Sequence, residues 1–204
     1  MYIRFLFFTV GLLFVSLGAS LTIISDLGAG PWDALSAGLS SAFGLTIGSW
    51  VFIIAIIMIM VNALIQKVRP DFFAIITGLL LGSSIDFWMY TFFENTVFES
   101  GIVKLVILLG GIFILAIGIA LYIQASLSPN AIDNFMISLH KRFGMKLMYA
   151  KLAGEIIALF LAAFVAGPIG IGTFIIALFI GPFVQFLFPF AKRLFVLCGG
   201  TVSL

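Results

Sequence analysis

An all-helical membrane fold, six spans arranged as two inverted repeats of three, is predicted by three observations: the hydropathy of the chain, the spacing of its apolar runs, and a self-similarity at an offset of 100 residues. Of the 204 residues, 63% are hydrophobic and only 9% charged, with a mean hydropathy of +1.32. A soluble domain carries about 25% charged residues, so this chain cannot present a water-compatible surface, and its solvent is lipid. The net charge of +2 and the scatter of basic residues among loops argue against a nucleic-acid partner. Cys198 is the single cysteine, which excludes an intrachain disulfide and a thiolate metal cluster.

A hydrocarbon core of about 30 Å takes about 20 apolar residues per helix. Six segments satisfy this, near residues 4–25, 47–66, 71–92, 101–124, 146–166 and 168–190. The first has the Arg4-led apolar run of a signal peptide, but its pattern returns inside the chain at 111–124, where cleavage makes no sense. Laying 11–44 over 111–144 without a gap matches Gly11 with Gly111, Gly18 with Gly118, Leu21 with Leu121, Ile23 with Ile123, Leu27 with Leu127, Asp33 with Asp133, Leu39 with Leu139, Phe43 with Phe143 and Gly44 with Gly144. The shared Asp and the paired glycines are not what apolar composition alone supplies. The sequence therefore divides into a first repeat at 4–92, a second at 101–190 and a cytoplasmic tail at 191–204.

Charge orients the spans, because cytoplasmic loops carry an excess of Lys and Arg. Arg4, the pair Lys67 and Arg69, the group Lys141, Arg142 and Lys146, and the pair Lys192 and Arg193 all fall on one side. Asp26, Asp33, Glu94 and Glu99 fall on the other, with Lys104 as the cation near them. Both termini are expected in the cytoplasm. Because each repeat holds an odd number of spans, the second copy must cross in the opposite sense to the first, which makes the repeat an inverted one.

Each first span is followed by a loop and a short helix. One copy reads Gly28-Ala29-Gly30-Pro31-Trp32-Asp33 and then places Leu35, Leu39 and Phe43 four apart; the other reads Ser128-Pro129-Asn130-Ala131-Ile132-Asp133 and places Phe135, Leu139 and Phe143 likewise. Gly30 and Asn130 suit the N-cap, Pro31 and Ala131 the first helical position, and an Asp in the first turn favours the positive helix end. Gly44 and Gly144 suit the helix stop. Two readings fit: an amphipathic helix lying at the membrane surface, or a re-entrant helix that carries its polar start inward. With an Asp already at each start, a ligand there is expected to be a cation or an amine.

Gly30-Pro31-Trp32-Asp33, Gly38-Leu39-Ser40, Gly44-Leu45-Thr46-Ile47-Gly48 and Gly78-Leu79-Leu80-Leu81-Gly82 leading to Asp86 together resemble the YitT/YczE-type bacterial integral membrane proteins. The resemblance spans most of the chain and is most specific in the first half; the second copy lacks the Pro-Trp pair. It implies a multi-pass protein of the bacterial cytoplasmic membrane, in a family of unassigned activity, and supplies no substrate.

Ionisable residues inside spans cost about 2.5–3.5 kcal/mol each at the helix centre and tend to face a cavity or a partner. Glu155 sits near the middle of span five with Lys151 one turn before it, either as an ion pair on one helix face or as a buried carboxylate suited to proton coupling. Asp86 lies in the outer part of span three, four residues beyond Gly82, as Gln185 lies four beyond Gly181; facing outside water is its other reading. Gln124 and Asn62 are explained as well by interhelical hydrogen bonds. Pathway candidates are thus Glu155, Asp86, Asp33, Asp133, Lys151, Gln124, Gln185 and Trp32.

Enzyme chemistry finds few parts. His140 belongs to a basic cluster with Lys141 and Arg142, suited to water or anionic lipid. One His and one Cys assemble neither a zinc site nor a Ser-His pair, and no loop carries the Gly, Lys and Ser/Thr of a phosphate cradle. No cofactor and no metal are expected. The partners expected are the bilayer and a small solute, with a homodimer or a membrane complex left open. The function expected is secondary transport of a small cationic or amphipathic solute; the alternative is a non-transporting scaffold, regulatory or substrate-binding subunit of a larger membrane complex.

Overall fold

In lipid the backbone must satisfy its own hydrogen bonds, so apolar runs of this length become helices. The computed structural model describes residues 2–127 and 130–200, and these form α1 (Tyr2–Ile24), α2 (Pro31–Phe43), α3 (Ile47–Gln66), α4 (Phe72–Phe87), α5 (Gly101–Gln124), α6 (Ala131–Phe143), α7 (Leu147–Phe164) and α8 (Ile171–Leu197). Ser128 and Pro129 of the second loop, and the tail residues 201–204, lie outside the described residues. Among the described residues, six helices are long and apolar enough to cross a membrane: α1, α3, α4 with the π-helical turn Trp88–Phe92 that continues it, α5, α7 and α8. Helix ends follow local chemistry. Thr46 caps α3 by accepting from Ser49 N at 3.1 Å, Lys67 closes it in the left-handed region, and Gly144 ends α6 at φ 68°.

The chain divides into two units. The first comprises Met1–Gly30, Ser84–Leu127 and Gly170–Leu204. Its core is the packing of α1 along α5, made by glycines in crossed pairs. A methyl on Gly11 would lie 2.6 Å from Tyr122 N and 2.9 Å from the Gly118 carbonyl, and one on Gly18 would lie 2.7 Å from the Gly111 carbonyl. Only a residue without Cβ permits backbones this close. Phe7 meets Phe195 of α8 edge-on at 5.0 Å, Trp88 Nε1 donates to Ser16 Oγ at 3.1 Å, and Lys104 pairs with Asp26.

The second unit comprises Pro31–Ser83 and Ser128–Ile169. Within it α2 packs on α7 and α3, while α6 packs on α3 and α7. The buried residues of α7 are Ala150, Gly154, Ala158 and Ala162, one small side chain every four residues, which makes a shallow ridge against which other helices seat closely. At the α2–α7 contact, Gly167 lies against the Ala34 carbonyl, and a methyl on Gly38 would lie 2.6 Å from Val165 Cγ2. At the α3–α6 contact the joint is polar. Asn62 Nδ2 donates to the Ala131 carbonyl at 2.8 Å, Gln66 Nε2 donates to Ser138 Oγ at 2.7 Å, and that hydroxyl lies 3.1 Å from Asn62 Oδ1 and 2.7 Å from the Asn134 carbonyl.

Three local expectations differ from the structure. The last long helix, expected near 168–190, is α8, which runs on through Lys192 and Arg193 to Leu197 despite Pro182 and Pro189. The Leu35-Leu39-Phe43 stripe does not define the buried face of α2: Phe43 is exposed and stacks loosely on Trp50, whereas Pro31 and every residue from Ala34 to Gly38 are buried. In α6 the buried positions are Ala131, Phe135 and Ser138, so the stripe breaks after Phe135 and Phe143 is exposed. A helix buried over consecutive residues has protein on several sides, and tertiary packing overrides the spacing rule.

Candidate functional site

The starts of α2 and α6 converge on the middle of α7. Glu155 is the ninth of the eighteen residues of α7, about 12 Å along its axis. Lys151 precedes it by four residues, so the two share a helix face with Ala150 and Gly154. This face, with Trp32 from the first turn of α2 and Ile132, Asp133, Phe135 and Met136 from α6, lines a cavity of about 70 Å³. That volume holds about two waters or a few heavy atoms of a ligand. Gly154 makes the space: a methyl there would lie 3.3 Å from Phe135 Cδ1 and 3.9 Å from Trp32 Cζ2.

Asp33 lies one residue beyond Trp32, outside the six long spans. It keeps some surface exposure, yet protein surrounds its carboxyl closely enough that burial, and after it the charge of Glu155, pushes its pKa up to about 7. The lining therefore sets two carboxyl groups, Asp133 and Glu155, and one ammonium, Lys151, around an aromatic face, with the Asp33 carboxyl beside it. Among the described residues no three His, Cys, Asp or Glu side chains are grouped as a metal ligand set. Carboxylates and an aromatic face are groups that attract positive charge.

Four of the eight sequence candidates line this cavity, Glu155, Lys151, Asp133 and Trp32, and a fifth, Asp33, lies beside it, within reach of the charge of Glu155. The other three belong to the first unit. Asp86 is half-buried on α4, Gln124 is buried and donates to the Ala120 carbonyl of its own helix at 3.4 Å, and Gln185 is exposed on α8. Sequence reading missed Gly154 and the Gln66–Ser138 link. The small-residue period Ala150, Gly154, Ala158, Ala162 was the available signal for Gly154.

A second cavity, about 130 Å³, lies where α3 ends and α6 begins. Asn62, Gln66, Arg69, Asp71 and Asn134 give it a polar lining, with Ile59, Ala63 and Val68 completing the wall.

Residues 2–189 match a family described as a family of unknown function, DUF6198. The chain belongs to the DUF6198 family. It is 31% identical over 194 residues to YyaS of Bacillus subtilis (strain 168), covering 95% of this chain and 96% of that one. It is 29% identical over 188 residues to YczE of the same organism, a membrane protein, covering 92% and 86%. A Haemophilus influenzae protein (strain ATCC 51907 / DSM 11121 / KW20 / Rd) is 26% identical over 192 residues, covering 94% and 85%. No solved structure matches. The YczE-like resemblance read from the glycine motifs is thus a true relationship, and this DUF6198 chain is a multi-pass membrane protein.

Proposed function

We propose that the chain is a secondary transporter of a small, positively charged solute, set in the bacterial cytoplasmic membrane with both termini in the cytoplasm and using no enzyme chemistry. The observation that carries this reading is the cavity at mid-length of α7 where the first turns of α2 and α6 meet, lined by Trp32, Asp133, Lys151 and Glu155. Short helices whose starts reach the middle of a span are the discontinuous helices on which transporter sites are built. A helix lying flat at the membrane surface would not reach Glu155. Three carboxyl groups against one ammonium favour a cation, and their dispersed placement favours an amine over a coordinated metal ion.

The packing supports two inverted repeats of three spans. Adding 100 to the first-copy residue and subtracting 100 from the second-copy residue turns the Gly11–Gly118 contact into the Gly18–Gly111 contact. The same operation exchanges the α2–α7 pair with the α6–α3 pair. A pseudo-two-fold relation requires this exchange of contacts.

The test is thermal stabilisation of the detergent-purified protein by a panel of amines, inorganic cations, amino acids and lipophilic compounds, each hit repeated on Glu155→Gln and Asp133→Asn. An amine that raises the melting temperature of the parent but not of the folded variants supports the reading, since binding stabilises by mass action. Stabilisation by no compound removes the amine as solute. The exposed basic end of α6, His140, Lys141 and Arg142, then favours a scaffold that docks a cytoplasmic partner.

A further inference from the structure

The second cavity and the tight α2–α7 contact occupy corresponding places in the two repeats, yet one is open and the other closed. Asn134 at the cavity corresponds to Ala34, and the α3 end with its loop, 62–71, corresponds to the α7 end with its loop, 162–171. Around Asn134 there is space of about 130 Å³ bounded by polar side chains. Ala34, by contrast, is enclosed: it is 0% exposed, Gly167 lies on its carbonyl, and Gly38 faces Val165 and Gly167. The loops after α3 and after α7 are separated by the three spans α4, α5 and α7, an odd number, so they emerge on opposite faces of the membrane.

Resting on the transport reading above, we propose that this is the state open to the face of Lys67 and Arg69, and that Ala34, Gly38 and Gly167 form the closed gate toward the other face. In an inverted repeat the two halves can exchange conformations, and the exchange turns one side's cavity into the other side's seal. The closed gate is backbone against backbone, held without a side-chain hydrogen bond between its three residues, so it can part without breaking a polar link. The open side is bounded by amides and by Arg69 and Asp71, groups that tolerate water while it stands open. The first turn of α6 lies between the two cavities, with Asn134 facing one and Asp133 the other, so a small shift of this turn connects the vestibule to the Glu155 site.

The test is side-specific labelling of single cysteines by a membrane-impermeant maleimide, in intact cells and in inverted vesicles, on a full-length Cys198→Ser background because Cys198 is exposed. Lys67→Cys marks its face. Asn134→Cys is expected to react only from the Lys67 face, and Ala34→Cys from neither. Adding Gly38→Ala, whose methyl would lie 2.8 Å from Gly167 Cα, is expected to make Ala34→Cys reactive from the face opposite Lys67 and to diminish Asn134→Cys labelling. If Gly38→Ala does not elute as folded protein, Gly167→Ala replaces it. Reaction of Ala34→Cys in the parent, or equal reaction of Asn134→Cys from both faces, overturns the gate assignment. The ligand screen is independent: stabilisation with the wrong labelling pattern leaves the transporter and removes the gates, whereas the expected pattern without any ligand leaves two-sided gating and removes the amine.

Discussion

The α2–α7 and α3–α6 contacts each seat a helix of 13 residues on a long one and differ in what joins them. The first is closed by Gly38, Ala34 and Gly167, whose backbones and small side chains touch directly; the second is joined by Asn62, Gln66 and Ser138, and leaves a cavity beside the joint. Position 38 is Gly where 138 is Ser, and 162 and 166 are Ala where 62 and 66 are Asn and Gln; these three differences set the chemistry of each contact. A glycine gives proximity without direction. A buried serine between two amides gives direction, since its hydroxyl must find partners. The comparison teaches that similar helix placement can be held by shape on one side and by hydrogen bonds on the other.

The largest effect expected from breaking this contrast is at the shape-held side. Gly167→Leu drives a side chain into the Ala34 carbonyl and should cost about 4 kcal/mol or more, read as loss of folded protein in size-exclusion chromatography. Asn134→Leu, at the cavity on the other side, should cost about 1 kcal/mol or less, because space is already present. Equal damage from both would end the distinction.

The polar joint should show the next effect. Asn62→Ala removes the bond to the Ala131 carbonyl and one partner of Ser138, at about 1–3 kcal/mol, while Ser138→Ala should cost less because Asn62 keeps its bond to Ala131. Midpoints of chemical unfolding in mixed micelles rank the two; a reversed order would mean that Ser138, not Asn62, organises the joint. Smaller still, Gly154→Ala should change stability by about 1 kcal/mol or less, since its methyl asks Phe135 to move only slightly from 3.3 Å. Gly154→Leu should fold and lose any ligand stabilisation by filling the cavity, and retained stabilisation would move the site elsewhere.

The mildest expected effect is on pH dependence. Asp33 is raised to about 7 from an ordinary 3.8, so the folded protein binds its proton more tightly than the unfolded chain does. Stability from this group is therefore greatest below the ordinary value and declines as pH rises through that window to about 7. Melting temperatures of the parent should fall between pH 5 and pH 8, on the order of a few degrees, with a flatter profile in Asp33→Asn. An identical slope in both proteins would place the titrating group elsewhere.

Hydropathy located the six long helices because lipid leaves an apolar segment no alternative to internal hydrogen bonding; observed α3 and α5 coincide with the runs 47–66 and 101–124. Pro182, Pro189, Lys192 and Arg193 of α8 signal an ending that packing overrides: Ala191, beyond both prolines, and Phe195, beyond all four, are buried, Phe195 against Phe7. The faces of α2 and α6 escaped the spacing rule for a related reason. Periodicity describes a helix with one wet face, and α2 is buried at consecutive positions.

What the sequence determined by itself is the solvent, the helices, the family and the residue types that a site could use, all consequences of local composition and spacing. What the tertiary structure decided is which polar residues meet. Asp33, Asp133 and Glu155 are separated by up to 122 positions, and only the close approach permitted by Gly154 and its neighbouring alanines brings their helices to one cavity while leaving Asp86, Gln124 and Gln185 in the other unit. Contact between distant segments depends on the absence of side chains as much as on their presence, and an absence shows its purpose only when its neighbours are in place.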